Sequence, residues 1–359
     1  MNQSYYLPRK ITVGVLSALC LGVFLAGTSP AQALERIERA IVVIGGAGDD
    51  GPYRNDAWAY VPSEDRWYEL EPMPRERRAM GYTYYGGKIY VYGGWEDGDG
   101  RTAVDRTEIY DPFRNQWTTG TRMPKPRGKM GHMYPAVNGR IYVGGGERHA
   151  EGGGYERLAE FAVYHIHEDR WEELEPMPRT RSFPYVMRNP LRPHLLHFVA
   201  GNADEVDGRM TDWHSVYDTE TGQWEVDERP LFPLPQTDGD GAEFFNGRWW
   251  ILGGWSHRSS PGEIVYSYDF CGDAWVEEDR IAAGTWSHQG TALVHVDGEE
   301  RLYMMGGRVN GNLTDEVWYH NGDGWHETGI RLPRPRWNFV AVTVDLNLDR
   351  VKPLTESGP

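Results

Sequence analysis

The chain has 359 residues, including 44 glycines, 23 prolines, 15 tryptophans and 21 tyrosines, and a formal net charge of −16 at pH 7. That length suits one large all-β domain or two ordinary ones. The charge argues against nucleic acid as a partner, because phosphate recognition needs a concentrated basic surface, and against docking on anionic lipid.

The N-terminus reads as a secretory signal. Arg9 and Lys10 supply positive charge, residues 11–26 an apolar run, and Ala31-Gln32-Ala33 a small-residue cleavage site. The run is 16 residues long, short for a membrane span. The expectation is a signal peptide over residues 1–33, a mature chain from Leu34, and a secreted or periplasmic protein that leaves the membrane after cleavage. Cys20 lies inside the signal, so the mature chain keeps only Cys271 and forms no internal disulfide.

Glycine and proline punctuate the rest every few residues, and no long stretch has helical periodicity, so many short strands are expected. Six apolar runs end on a doublet: Gly45-Gly46, Gly93-Gly94, Gly145-Gly146, Ala200-Gly201, Gly253-Gly254 and Gly306-Gly307. Their first members lie 48, 52, 55, 53 and 53 residues apart. After each doublet come a variable loop, a tyrosine and a tryptophan: Tyr60/Trp67, Tyr110/Trp117, Tyr164/Trp171, Tyr217/Trp224, Tyr268/Trp275 and Tyr319/Trp325. Similar proline segments follow in four repeats: "EPMPRERR", "RMPKPRGK", "EPMPRTRS" and "RLPRPRWN".

A period near 50 residues with four strand signals per unit indicates a β-propeller. The doublet, tyrosine and tryptophan together resemble the kelch repeat family, over residues 36–346. The resemblance implies an all-β, six-bladed kelch β-propeller. The aromatics would fill the wide space between blades, each burying about 150–250 Å². The glycines would let the chain bend sharply and a neighbour come close. They are architecture rather than a phosphate cradle, since neither a GxxxxGK[ST] motif nor a helix follows. The first repeat lacks a first strand, and the chain ends with an orphan one, "LPRPRWNFVAVTV". The C-terminal strand is therefore expected to complete blade one of a propeller over residues 34–346. Residues 347–359 are expected to form a flexible tail.

Let the strands of a blade run A to D from axis to rim. Neighbours are antiparallel, so the B–C loops and D–A connections share one face and the A–B and C–D turns the other. The B–C loops are long and varied, which makes the B–C/D–A face the candidate site. There the proline segments put a basic residue before strand A in four blades: Arg77, Lys129, Arg181 and Arg336. The matching region of blade five carries Asp238 and Asp240, and that of blade six Trp286 and His288. Turned to the axis, these would form a cationic mouth for a small anionic or carbohydrate ligand. Kelch binding domains often use this arginine position for anionic ligands, so the resemblance supports that orientation. The alternative is that each arginine pairs with a loop carboxylate.

The copper–tyrosyl–cysteine chemistry of galactose oxidase-like propellers does not fit, because Cys271 sits at a rim-side C–D turn. The resemblance to secreted six-bladed N-acetylneuraminate epimerases is closer. It implies a glutamate and an arginine opening a sugar hemiacetal, with the glutamate directly after the fourth doublet. Here that residue is Asn202; Glu205 and Arg209 lie nearby out of register, and Glu147-Arg148 follows the third doublet instead. Glu147 or Glu205 would serve as general base, with an arginine such as Arg209 steadying the oxyanion. His165 and His167 share one side of a strand but lack a third ligand, and the Asp-Gly runs are ordinary turns, so no metal or cofactor is implied. Two readings stay open: a secreted propeller that binds a carbohydrate, peptide or protein, and a sugar mutarotase or epimerase.

Overall fold

The computed structural model describes residues 35–50, 53–96, 102–131, 133–205, 210–226, 228–237, 241–256, 263–281 and 283–355. No α-helix occurs among them. The strands fall into six principal antiparallel sheets, five of them ordered A to D along the chain. The second strands are the most buried: Ala40 to Ile44, in the first of them, have no exposed surface. That follows from position. A B strand has A and C as sheet neighbours and a blade against each face, so an unbroken apolar run suits it better than alternation.

Blade one is assembled from both ends of the repeats. Val340–Asn347 is its A strand and pairs with Ile37–Gly46 over eight residue pairs, from Ile37 opposite Asn347 to Ile44 opposite Val340. Arg54–Val61 and Arg66–Leu70 complete it. One apolar cluster joins this blade to blade two through Val342, Met80 and Tyr82. Another joins it to blade six through Ala341, Ala292 and Tyr303.

Of the segment expected to be a flexible tail, residues 348–353 are ordered, and residues 356–359 lie outside the described residues. Leu348–Arg350 forms a 3-10 turn whose N-cap, Asn347, accepts the Asp349 N–H at 3.1 Å. Lys352–Pro353 then adds a fifth strand outside Arg66–Leu70. The physical reason is burial: Leu348 and Val351 pack on the core between blades one and two.

The tyrosine–tryptophan spacing has a local cause. Tyr60 and Trp67 sit opposite each other on strands C and D with ring centroids 5.3 Å apart, and Tyr110 and Trp117 do so at 5.0 Å. Each tyrosine hydroxyl bonds to the turn residue five positions on, at 2.9 Å to Asp65 and 2.7 Å to Asn115. Asp65 and Asn115 both have φ near +50°, which Asp and Asn tolerate best among non-glycine residues.

Candidate functional site

The connection from D to the next A is built alike in every blade. In five of the six connections the residue that joins two blades lies four positions after the apolar member of an apolar-proline pair; in blade six, which has no such proline, it is Trp286. Its main-chain oxygen accepts an N–H from the second doublet residue of the preceding blade. These bonds are Gly46 to Arg77, Gly94 to Arg127, Gly146 to Arg181, Gly201 to Gln236, Gly254 to Trp286 and Gly307 to Arg336, all 2.7–2.9 Å. Its side chain reaches forward and donates to the following blade. Arg77 donates to the Gly93 carbonyl at 2.8 Å, Arg127 to Gly145 at 3.2 Å, Gln236 to Gly253 at 3.2 Å, Trp286 to Gly306 at 2.6 Å and Arg336 to Gly45 at 2.8 Å. Arg181 reaches the Phe198 carbonyl at 2.8 Å.

All three proposed ligand-binding arginines are therefore turned between the blades. Arg77 and Arg336 have no exposed surface and Arg181 is buried. Glu108 pairs with Arg77, and Asp56 pairs with Arg336 at 2.8 Å while Trp58 stacks 4.3 Å from its guanidinium. Burial pulls Arg77 down to about 9 and Arg336 to about 10, so both remain charged at neutral pH. The expected cationic mouth made of these side chains is corrected: Arg77 and Arg336 are turned to main chain and carboxylates between the blades, and Arg181 to the Phe198 carbonyl. Trp286 is likewise fully buried, so its ring offers no platform for a sugar.

Lys129 is a register correction. Arg127, after Met123-Pro124, is the counterpart of Arg77. Lys129 lies two residues later, where the connectors turn. Ala79, Lys129, Phe183, His288 and Asn338 all occupy this position with φ between 47° and 59°. Adjacent connectors bond to one another here, Ala79 N–H to Asn338 at 3.0 Å, Phe183 to Lys129 at 2.9 Å and Asn338 to His288 at 3.2 Å. These residues thus surround the axis, with Lys129 and His288 three blades apart. Asp238 and Asp240, at blade five, lie outside the described residues.

Just outside this ring, the residue after each doublet forms an antiparallel bridge with the residue after each joint: Ala47 with Trp337, Trp95 with Arg78, Glu147 with Gly128, Asn202 with Ser182, Trp255 with Thr237, and Arg308 with Ser287. On one side of the axis these bridges gather a cation–aromatic stack. Trp337 has the Arg78 guanidinium 4.6 Å from its ring and that of Arg308 at 5.3 Å, with His288 edge-on at 5.5 Å. Arg78 also lies 5.0 Å from Tyr53. All but Tyr53 are half-buried, so they present edges to solvent.

On the other side stands an ion network. Glu147 has no exposed surface; Lys129 reaches it at 2.7 Å and Arg157 at 3.9 Å. Arg157 continues to Asp204 at 3.0 Å, and the Lys129 ammonium lies 5.2 Å from the exposed Tyr155 ring. Glu205 accepts the Thr180 N–H at 3.0 Å and the Thr180 hydroxyl at 2.5 Å. Partial burial raises its carboxyl, but these bonds outweigh it and hold it below the usual range. Arg209 lies outside the described residues. His165 pairs with Glu172 at 3.1 Å, and among the described residues no three His, Cys, Asp or Glu side chains are placed to hold a metal ion.

The comparisons with known proteins agree on the repeat. Residues 27–186 match the family model described as the KLHDC2/KLHL20/DRC7 kelch-repeats domain. Human kelch repeat and BTB domain-containing protein 8 is 29% identical over 191 residues, 52% of this chain and 28% of that protein. Its Danio rerio counterpart is 30% identical over 47% of this chain and 25% of that protein. Human kelch-like protein 11 is 27% identical over 53% of this chain and 26% of that protein. The chain thus spans under a third of the length of these relatives. The solved structure titled "Structure of YjhT" superposes with a TM-score of 0.60 at 13% identity, over 76% of this chain and 89% of that one, which speaks to the fold alone. The chain thus carries a match to the kelch-repeat model over residues 27–186 and, with its six repeats, has the fold of a kelch-type β-propeller.

Proposed function

We propose that this is an exported binding propeller whose B–C/D–A face takes a small anionic or polyhydroxylated ligand, carried on a carbohydrate or a protein partner. The observation that carries this reading is the Trp337 stack, with Arg78 and Arg308 on its ring at the axial end of the molecule. Arginine clamps carboxylates with paired hydrogen bonds, and an aromatic edge offers apolar contact to a sugar ring. Lys129 stands across the axis, its ammonium paired with Glu147 at 2.7 Å. Against a net charge of −16, such local cations must be focused to attract an anion. Export rests on the charged start, apolar run and small-residue site of residues 1–33, and mass spectrometry of the exported protein is expected to find a chain starting at Leu34.

Binding is favoured over sugar isomerisation by the state of Glu147. Its carboxylate is fully buried between Lys129 and Arg157, so a substrate reaches it only if that network opens. The test is calorimetric titration of glucuronic acid and of glucose into the wild type, Trp337→Ala and Arg78→Ala. Glucuronic acid is expected to bind more tightly than glucose, and each substitution to weaken it about tenfold, the size of a lost charged hydrogen bond. Equal binding of the two sugars, or unchanged binding by both variants, overturns the reading.

A further inference from the structure

The A–B turn of blade five, at Asn246, and the C–D turn of blade six, at Gly322-Asp323, lie at the end of the ring opposite the face just described. Between them opens a cavity of about 330 Å³. Its walls come from facing strands. Arg248, Trp250, Glu278 and Asp279 belong to blade five, and His320 to blade six.

The polar groups here are arranged in a way that packing alone leaves unexplained. Trp250 is 4% exposed, and its indole N–H has no acceptor among the described residues. A buried donor left unbonded is costly unless something else satisfies it. His320, also buried, stacks on Trp250 at 5.0 Å and on Trp325 at 5.2 Å. Its Nδ1 accepts the Gly322 N–H at 3.0 Å, which leaves the proton on Nε2, facing Asp279 at a long 3.5 Å. Burial holds His320 below its usual range, so it is neutral at pH 7. Glu278 is already engaged, accepting from Arg248 at 2.6 Å and from Ser267 at 2.5 Å. Asp279, one oxygen of which accepts the Arg280 N–H at 2.7 Å, and Asp323 are left as the acceptors at the mouth, so three carboxylates face one guanidinium.

We propose that this cavity between blades five and six is a second ligand site, separate from the axial face, for a small polyhydroxylated amine such as an aminosugar. Each part of the ligand answers a feature of the cavity. The ammonium meets the excess carboxylate charge at Asp279 and Asp323. A hydroxyl oxygen accepts the stranded Trp250 N–H, which an ammonium alone cannot do. The remaining hydroxyls bond Asn246 and the His320 Nε2–H, and the Trp250–His320 wall covers the apolar side of a sugar ring. The cavity is of the size that takes one small molecule.

The test uses the full chain with ¹⁵N-labelled tryptophan and follows the indole signals by NMR. Glucosamine, glucose and ethylamine are titrated separately. The Trp250 signal, assigned through Trp250→Phe, is expected to shift with glucosamine, and glucose and ethylamine are each expected to bind at least about tenfold more weakly. Asp279→Asn combined with Asp323→Asn should weaken glucosamine about tenfold or more, with the other indole signals unmoved as a check on folding. Trp337→Ala should leave the glucosamine titration unchanged, which separates this site from the axial one. The proposal falls if the Trp250 signal does not move, if glucose or ethylamine binds as well as glucosamine, or if the double asparagine variant binds like the wild type.

Discussion

The joints into blades one to four are made by arginine, whereas those into blades five and six are made by Gln236 and Trp286. All six perform one task, carrying an N–H across to a main-chain carbonyl of the next blade. What the position requires is a donor of sufficient reach. Positive charge is incidental, and where it is present the fold sometimes has to neutralise it, as Glu108 does for Arg77 and Asp56 for Arg336. A basic residue repeated around a symmetric ring is thus poor evidence for an anion site, since symmetry repeats architectural needs as faithfully as functional ones.

The largest loss of stability is expected from removing one joint together with its strand. Deleting residues 333–355 takes away Arg336, the A strand of blade one and the fifth strand. The truncated chain is expected to lose its cooperative transition, and differential scanning calorimetry would show a broad or absent peak. A transition as sharp and as high as that of the full chain would mean that blade one does not depend on its C-terminal strand.

Single joints separate charge from reach. Arg77→Met leaves Glu108 buried without a partner, which costs about 3–5 kcal/mol. Among the described residues Arg127 donates only to the carbonyls of Gly145 and Glu160, so Arg127→Met should cost less, about 1–3 kcal/mol. Urea denaturation of the two variants measures the difference. Equal losses would show that the carboxylate contributes nothing and that reach is the whole requirement.

Acid attacks a different place. His197 and His214 share a 2.8 Å hydrogen bond in the aromatic space beside Tyr268, Phe270 and Trp275. Burial holds His214 down at about 4 and His197 well below its usual range. The unfolded chain takes up protons near pH 6.5 and the folded one does not, so stability is lost as the pH falls from about 6.5 toward 4, by about 3 kcal/mol for His214 alone. The arginine joints do not titrate in that window. His197→Gln with His214→Gln should flatten the pH dependence of the urea midpoint, and an unchanged slope would place the acid sensitivity elsewhere.

Much of this architecture was legible in the sequence because it is periodic. The doublets located six B strands, and the Tyr/Trp spacing located the C–D turns that Asp65 and Asn115 close. The joint was legible too, four residues after the apolar member of a Met-Pro, Phe-Pro or Leu-Pro pair, but basic side chains alone drew attention to Lys129 instead of Arg127 and hid Gln236. Orientation was not legible. Whether Arg77 faces the axis or the next blade depends on the left-handed turn at Ala79, which no residue type announces. The Trp337 stack was also hidden, since Arg78 and Arg308 meet only through bridges between segments far apart in sequence. The order beyond Asn347 rests on Leu348, Val351 and Leu354 meeting apolar surface contributed by distant strands.

The smallest effect on stability should come from the other kind of arginine. Arg308 projects from the face, its side chain 24% exposed, and pairs with Asp49, itself 56% exposed. Its main chain, not its side chain, makes the bridge to Ser287. Arg308→Ala therefore removes one ion pair at the surface, a hydrogen bond to the Gly311 carbonyl and one contact to Trp337, and the expected loss is within about 1 kcal/mol. Thermal melting should show a shift of a few degrees at most, far below that of Arg77→Met. The same variant removes one of the two cations from Trp337, so glucuronic acid binding should weaken and become less sensitive to salt. An unchanged salt dependence would mean that Arg308 does not meet the ligand. A loss of stability as large as that of Arg77→Met would erase the distinction between arginines that join blades and arginines that face solvent.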